Sequence, residues 1–142
     1  MPAGEFQFLD TNILIYAYDS EAETKAVKSQ QLLEELWLSK RGCISIQVIQ
    51  EFYAGASGKI HLDSKIITDI ITELSTWKVH SPIVKDILRA VKIQQHYHIS
   101  FWEALIVNSA SQSGCAILWT EDLSDGHVYE GVRVQNPFIE TG

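Results

Sequence analysis

Apolar residues along this chain change period several times, and each change marks an element. Phe6-Gln7-Phe8-Leu9 reads as a strand that breaks at Asp10-Thr11-Asn12. Apolar residues resume at once from Ile13 to Tyr18, as in a short buried helix over 12–18. Ser20 and Glu23 stand at capping-box spacing, which satisfies two N–H groups at a helix start. Ala22, Ala26, Val27, Leu33, Leu36 and Trp37 then recur with helical spacing as far as Arg41, where Gly42 supplies a stop. Cys43–Ile46 reads as the second strand. Ser45 or Gln47 opens a helix carrying Val48, Ile49, Phe52 and Tyr53; Glu51 interrupts that apolar group, and Gly55-Ala56-Ser57-Gly58 ends the helix. Asp63 caps a long helix with Ile66, Ile67, Ile70, Ile71 and Leu74 inward, a stripe wide enough for contact with another chain as well as with the core.

Trp77–His80 is a short strand closed by Ser81-Pro82, and Pro82 suits the next helix start. That helix has Val84, Ile87, Leu88 and Val91 on one side and Lys85, Arg89 and Lys92 on the other. The basic stripe reads as a solvated face, with phosphate contact as the alternative. His96-Tyr97-His98-Ile99 is a linker; no third soft ligand follows its two histidines at zinc-site spacing. Ser100 caps a helix through Ser113, and Gly114 stops it. Cys115–Trp119 is nearly all apolar, as a parallel strand covered on both faces should be. Thr120-Glu121-Asp122, a turn around Ser124-Asp125-Gly126, an edge strand at Val132–Val134 and Asn136-Pro137-Phe138 complete the chain. Strands alternating with helices predict an α/β fold: a central, mostly parallel sheet flanked by helices on both faces.

The 142 residues, 46% of them hydrophobic, suit one domain over 1–142 that folds without disulfide or metal staples. Cys43 and Cys115 sit in apolar runs and read as buried thiols. No secretory pattern opens the chain and no apolar run reaches membrane-spanning length, so a cytoplasmic location without membrane contact is the expectation. Eighteen acids against eleven Lys and Arg give a formal charge of −7. That excludes a broad basic grip on nucleic acid, though not a nucleic acid substrate at a local site.

The acids that break apolar runs share a location. Asp10 follows the first strand, Glu51 lies early in the helix after the second, Glu103 is three residues past Ser100, and Asp122 follows the strand at 115–119. All four belong to one edge of a parallel sheet, where ligand sites of open α/β folds lie. Each has an ordinary alternative. Asp10 caps a helix, Glu51 faces solvent, Glu103 completes a capping box and Asp122 belongs to a turn. Glu121 points away into solvent. Together, four carboxylates in one cleft raise one another's pKa and oppose folding unless a cation joins them. Oxygen-only ligands suit Mg2+ or Mn2+. Such an ion holds and activates water beside a phosphate, so phosphodiester hydrolysis is the expected chemistry, with one ion or two about 3.5–4 Å apart.

The stretches Phe8–Tyr16, Ile44–Phe52, Ile99–Ile106, Thr120–Leu123 with Gly126, and Asn136–Phe138 occur in the order of a PIN domain. The chain resembles that family, particularly the ribonuclease toxins of bacterial toxin–antitoxin pairs. The resemblance implies a three-layer fold and an acidic quartet of Asp10, Glu51, Glu103 and Asp122 around Mg2+ or Mn2+. It makes Thr120 and Asn12 supporting residues, with Thr120 bonded to Asp10. Glu103 departs from the commoner Asp of the family's Trp-Asp-Ala motif, keeping the charge while changing the reach. The resemblance further implies an RNA substrate, a homodimer, and a small antitoxin protein that occupies the groove. The alternatives are a PIN-like nuclease of RNA processing or decay without a toxin role, and a non-catalytic RNA- or protein-binding scaffold.

Overall fold

The computed structural model describes residues 5–139. Residues 1–4, read above as free of a secretory pattern, lie outside that range. The elements in chain order are β1 (Phe6–Leu9), α1 (Thr11–Ala17), a 3-10 turn (Ser20–Ala22), α2 (Thr24–Ser39), β2 (Gly42–Ser45), α3 (Ile46–Gly58), α4 (Ser64–Leu74), β3 (Lys78–His80), α5 (Val84–Tyr97), α6 (Phe101–Gln112), β4 (Cys115–Trp119), β5 (Val128–Tyr129) and β6 (Val132–Gln135). The sheet order is β3-β2-β1-β4-β6-β5, parallel throughout except for the β5–β6 pair.

That order locates the site. The chain steps one way from β1 to β2 to β3, then jumps back to β4 on the other side of β1. Right-handed crossovers put the helices of the first run on one face and those of the return on the other. Contacts agree: α1 packs on α2 and α3, and α3 on α4, while α5 packs on α6. The direction of winding reverses between β1 and β4, and a crevice opens at their carboxyl ends. Beneath it lie the fully buried Phe8, Leu9, Ile13, Leu14, Ile44, Val48, Phe52 and Leu118. Cys43 and Cys115 are free and buried, as expected. Among the described residues, no helix is long and apolar enough to cross a membrane.

Several local expectations fail for tertiary reasons. Ser20 and Glu23 form no capping box. Asp19 caps the 3-10 turn through the Glu21 N–H, and Glu23 enters α2 at φ 52 without a side-chain cap. Helix α2 stops at Lys40, which takes the left-handed conformation at φ 59, and Gly42 already belongs to β2. A Cβ at position 42 would lie 2.5 Å from the Trp77 ring, so packing explains this glycine. Helix α3 does end within 55–58, at Gly58, while the bare Cα of Gly55 serves packing by letting Ile15 of α1 approach where a Cβ would collide with its Cδ1. In α4, Ile66 faces out while Ile67, Ile70 and Leu74 are buried. In α5 the side that meets the core is Asp86, Ala90 and Ile93, and Ile83, Val84, Ile87, Leu88 and Val91 form an exposed apolar face. The strand at 132–134 is not the edge. It lies between β4 and β5, because Glu130 and Gly131, both at positive φ, turn the chain into a tight hairpin that adds β5 outside it.

Candidate active site

Asp10 stands where β1 hands over to α1. Its own N–H donates to the Trp119 carbonyl (3.0 Å), tying the end of β1 to β4. Its Oδ1 accepts from the Thr11 N–H at 2.7 Å, the helix cap expected of it. Its Oδ2 accepts from the Thr120 hydroxyl at 2.9 Å. Thr120 is fully buried, and its oxygen in turn accepts from the Asn12 amide (3.2 Å) and the Asp122 N–H (3.1 Å). Asn12 also donates to Asp122 Oδ2 at 2.9 Å. Asn12, Thr120, Asp10 and Asp122 therefore form one connected network across the crevice.

Two further acids arrive from the helices. Glu51 accepts the Thr11 hydroxyl at 2.7 Å on one oxygen and the Gln47 amide at 3.3 Å on the other. Glu103 completes a capping box with Ser100: its Oε1 accepts the Ser100 N–H at 3.0 Å, and its own N–H donates to Ser100 Oγ at 3.1 Å. Among the described residues, Oε2 has no hydrogen-bond partner. Asp10, Glu51, Glu103 and Asp122 line one recess of about 90 Å³, closed by Gln47, Trp102, Ile106 and Leu123. Among the described residues, no three acidic, histidine or cysteine side chains are gathered into a ready ligand shell. The four carboxylates face a common space without converging on one point.

Electrostatics favour a cation there. Burial pushes the Asp10 carboxyl up to about 6, and the Asp122 and Glu51 charges add to the rise against the opposing Thr11 and Thr120 hydrogen bonds. A carboxylate held so high, facing two more, is a charge that the protein leaves uncompensated. Asn12 Oδ1 is likewise buried without a hydrogen-bond partner. Hard oxygen donors with unbalanced negative charge fit Mg2+ or Mn2+ and do not fit a soft metal.

Glu51 and Asp122 also form one wall of a larger cleft of about 690 Å³ that extends past Ile15 and Tyr16 to Lys59. Glu121 does not point away into solvent. It accepts from the Tyr16 hydroxyl and from Lys25 Nζ (2.9 Å), and its hydrogen bonds raise the pKa of both partners. Lys25 in turn lies over the rings of Tyr16 (4.9 Å) and Phe138 (5.2 Å). The sequence reading missed this cluster, although a signal existed: Tyr16 follows Asn12 by one helical turn and shares its face. Lys85, Arg89 and Lys92 line neither the recess nor the cleft, and Arg89 donates instead to Asp86 at 3.2 Å.

A model of the PIN domain family matches residues 8–124. Among solved structures, a toxin–antitoxin complex from Klebsiella pneumoniae superposes with a TM-score of 0.70 at 23% identity, covering 93% of this chain and 98% of that one. DNA-bound VapBC from Salmonella typhimurium gives 0.66 at 18%, over 94% and 98%. VapBC2 from Rickettsia felis, bound to a DNA fragment from their promoter, gives 0.65 at 21%, over 92% and 98%. Identities this low establish a shared fold. No curated protein matches in sequence at a significant level.

Proposed function

The chain belongs to the PIN domain family, and on that footing we propose that it is a divalent-metal-dependent endoribonuclease, the toxin of a toxin–antitoxin pair, acting as a single domain in the cytoplasm. The observation that carries this reading is the meeting of Asp10, Glu51, Glu103 and Asp122 at the winding reversal, with Asp10 pushed up to about 6. In this reading the four carboxylates hold Mg2+ or Mn2+. When bound, the ion supplies an activated water and offsets charge on the phosphoryl oxygens.

The protein's own groups do the rest. The Thr11 N–H and Thr120 hydroxyl hold one oxygen each of Asp10, so the carboxylate stays in a single rotamer with lone pairs free toward the recess. Asn12 steadies Thr120 and Asp122 together. Glu103 offers Oε2 while Oε1 caps α6, which reconciles its capping and ligand roles. Glu51, held by Thr11 and Gln47 at the mouth of the recess, would bind a second ion or orient a water there.

The similar folds solved as toxin–antitoxin and VapBC assemblies support a cognate antitoxin as partner. The exposed face of Ile83, Val84, Ile87, Leu88 and Val91 supports a homodimer through α5, since apolar side chains grouped on one exposed helix face suit an interaction surface. Cleavage of total RNA by wild type and Asp10→Asn, with Mg2+ or Mn2+ and with chelator, tests the activity. Metal-dependent fragments from wild type alone are expected. Normal turnover by the variant, or cleavage indifferent to chelator, overturns the assignment. Growth arrest on expression, relieved by an adjacent small gene, separates toxin from RNA-processing enzyme.

A further inference from the structure

Trp102 occupies the second position of α6, next to Glu103, and its side chain stands at the rim of the acidic recess. It is 63% exposed. Trp37 and Trp77 pack on each other at 5.5 Å, the Trp119 indole N–H donates to Gln7 at 2.7 Å, and Trp102, among the described residues, has only its chain neighbour Phe101 as an aromatic contact. Yet its backbone is rigidly placed. The Ser100–Glu103 box fixes the first turn, the Gln47 amide donates to the Trp102 carbonyl at 3.4 Å, and Phe101 packs edge-on against the ring at 5.4 Å.

A flat aromatic face held open beside four carboxylates answers a difficulty in the proposed reaction. An RNA strand arriving at a protein of charge −7 gains little from phosphate neutralisation. Stacking of a base on an aromatic ring adds affinity without charge and tolerates any sequence. It also requires a base whose face is free, which a continuous duplex does not offer.

We propose that Trp102 stacks a nucleobase of the RNA next to the scissile phosphate, so that part of the substrate's affinity is uncharged. This rests on the reading of the quartet as a ribonuclease site. Trp102 is a substrate-binding residue here, and Glu103 beside it carries the chemistry.

The test uses the full chain and a short single-stranded RNA that wild type cleaves, with the same sequence as a duplex. In the cleavage assay, Trp102→Ala raises KM about 5- to 150-fold, the range of one base–aromatic stack, with the smaller effect on kcat. Trp102→Phe restores much of the loss. Mn2+ affinity and sedimentation stay at wild-type values. In the uncleaving Asp10→Asn background, single-stranded RNA quenches tryptophan fluorescence, the duplex does not, and the added Trp102→Phe removes the signal. An unchanged KM in Trp102→Ala overturns the proposal. So does a parallel loss of Mn2+ binding or a shift in oligomeric state, which would make Trp102 a structural or subunit-contact residue. RNA that is cut without quenching overturns the stacking and leaves the nuclease standing. RNA that quenches Trp102 without being cut overturns the nuclease and leaves the stacking.

Discussion

Asp10→Asn should stabilise the metal-free protein while abolishing its activity. Lifting the Asp10 carboxyl from 3.8 to about 6 means that the fold disfavours its charged form by about 3 kcal/mol at neutral pH. Asparagine removes that penalty and keeps one bond, since its Oδ1 still accepts the Thr11 N–H. It loses another. The new amide turns toward Thr120 Oγ1, which already accepts from Asn12 and the Asp122 N–H, and the Thr120 hydroxyl is left without an acceptor. That loss costs about 1–2 kcal/mol. The net gain is about 1–2 kcal/mol, a rise of roughly 3–8 °C in Tm for a chain of this size. The sign carries a pH signature. A carboxyl whose folded pKa is raised binds its proton more tightly in the native state, so wild type gains stability as pH falls from 6 toward 3.8. The variant lacks this titration, and its advantage at pH 8 shrinks through that window. Thermal or urea unfolding in chelator at pH 8, 6 and 4.5 measures the gap. Adding Mn2+ should then raise the Tm of wild type well above its effect on the variant. A variant less stable than wild type at pH 8, or a gap that ignores pH, would refute the electrostatic reading of Asp10.

Other positions give sharper local tests. Thr120→Val keeps the shape but removes the hydroxyl that holds Asp10, and should reduce metal affinity or cleavage about 10- to 100-fold; calorimetric titration with Mn2+ and RNA cleavage check it. Gly42→Ala drives a methyl into the Trp77 ring and should cost about 1–3 kcal/mol in urea unfolding, with full activity per folded molecule. Asp86 is buried, which raises its pKa, but the Ile83 N–H, Asn108, His80 and Arg89 outweigh burial and hold it below the usual carboxylate range. Asp86→Ala should cost about 3 kcal/mol. The wild-type contribution is present above the ordinary value of 3.8 and lost as pH falls through the lower folded value, so the cost measured by urea unfolding shrinks only in strong acid. Leu88→Glu puts a charge on the exposed face of α5 and should convert a dimer to a monomer by sedimentation; a variant that still dimerises refutes that face as the interface.

The polar break at Asp10-Thr11-Asn12 was legible because it follows an apolar run without a gap, and the same holds for Thr120-Glu121-Asp122 after β4. The capping boundaries at Ser45, Asp63 and Ser100 were legible because they are local chemistry. What escaped was decided by distant partners. Asp86 faces inward with Asn108, 22 residues away, and His80 among its partners, and the apolar side of α5 faces outward. Glu121 is inward because Tyr16 and Lys25 reach it from α1 and α2. Gly42 looked like a helix stop because nothing near it in sequence announces the Trp77 ring. Strand β5 has two residues, too few to show an alternation.

The position of β4 beside β1 has a consequence for synthesis. Asp10 and Glu51 emerge early, but the carboxylates at 103 and 122 are encoded much later, and Asp10 has no Thr120 to orient it until β4 inserts against the first strand. During translation the recess is therefore incomplete for most of the message. A chain broken off before residue 115 never acquires the strand that closes the site, and its Asp10 and Glu51 never meet the carboxylates at 103 and 122.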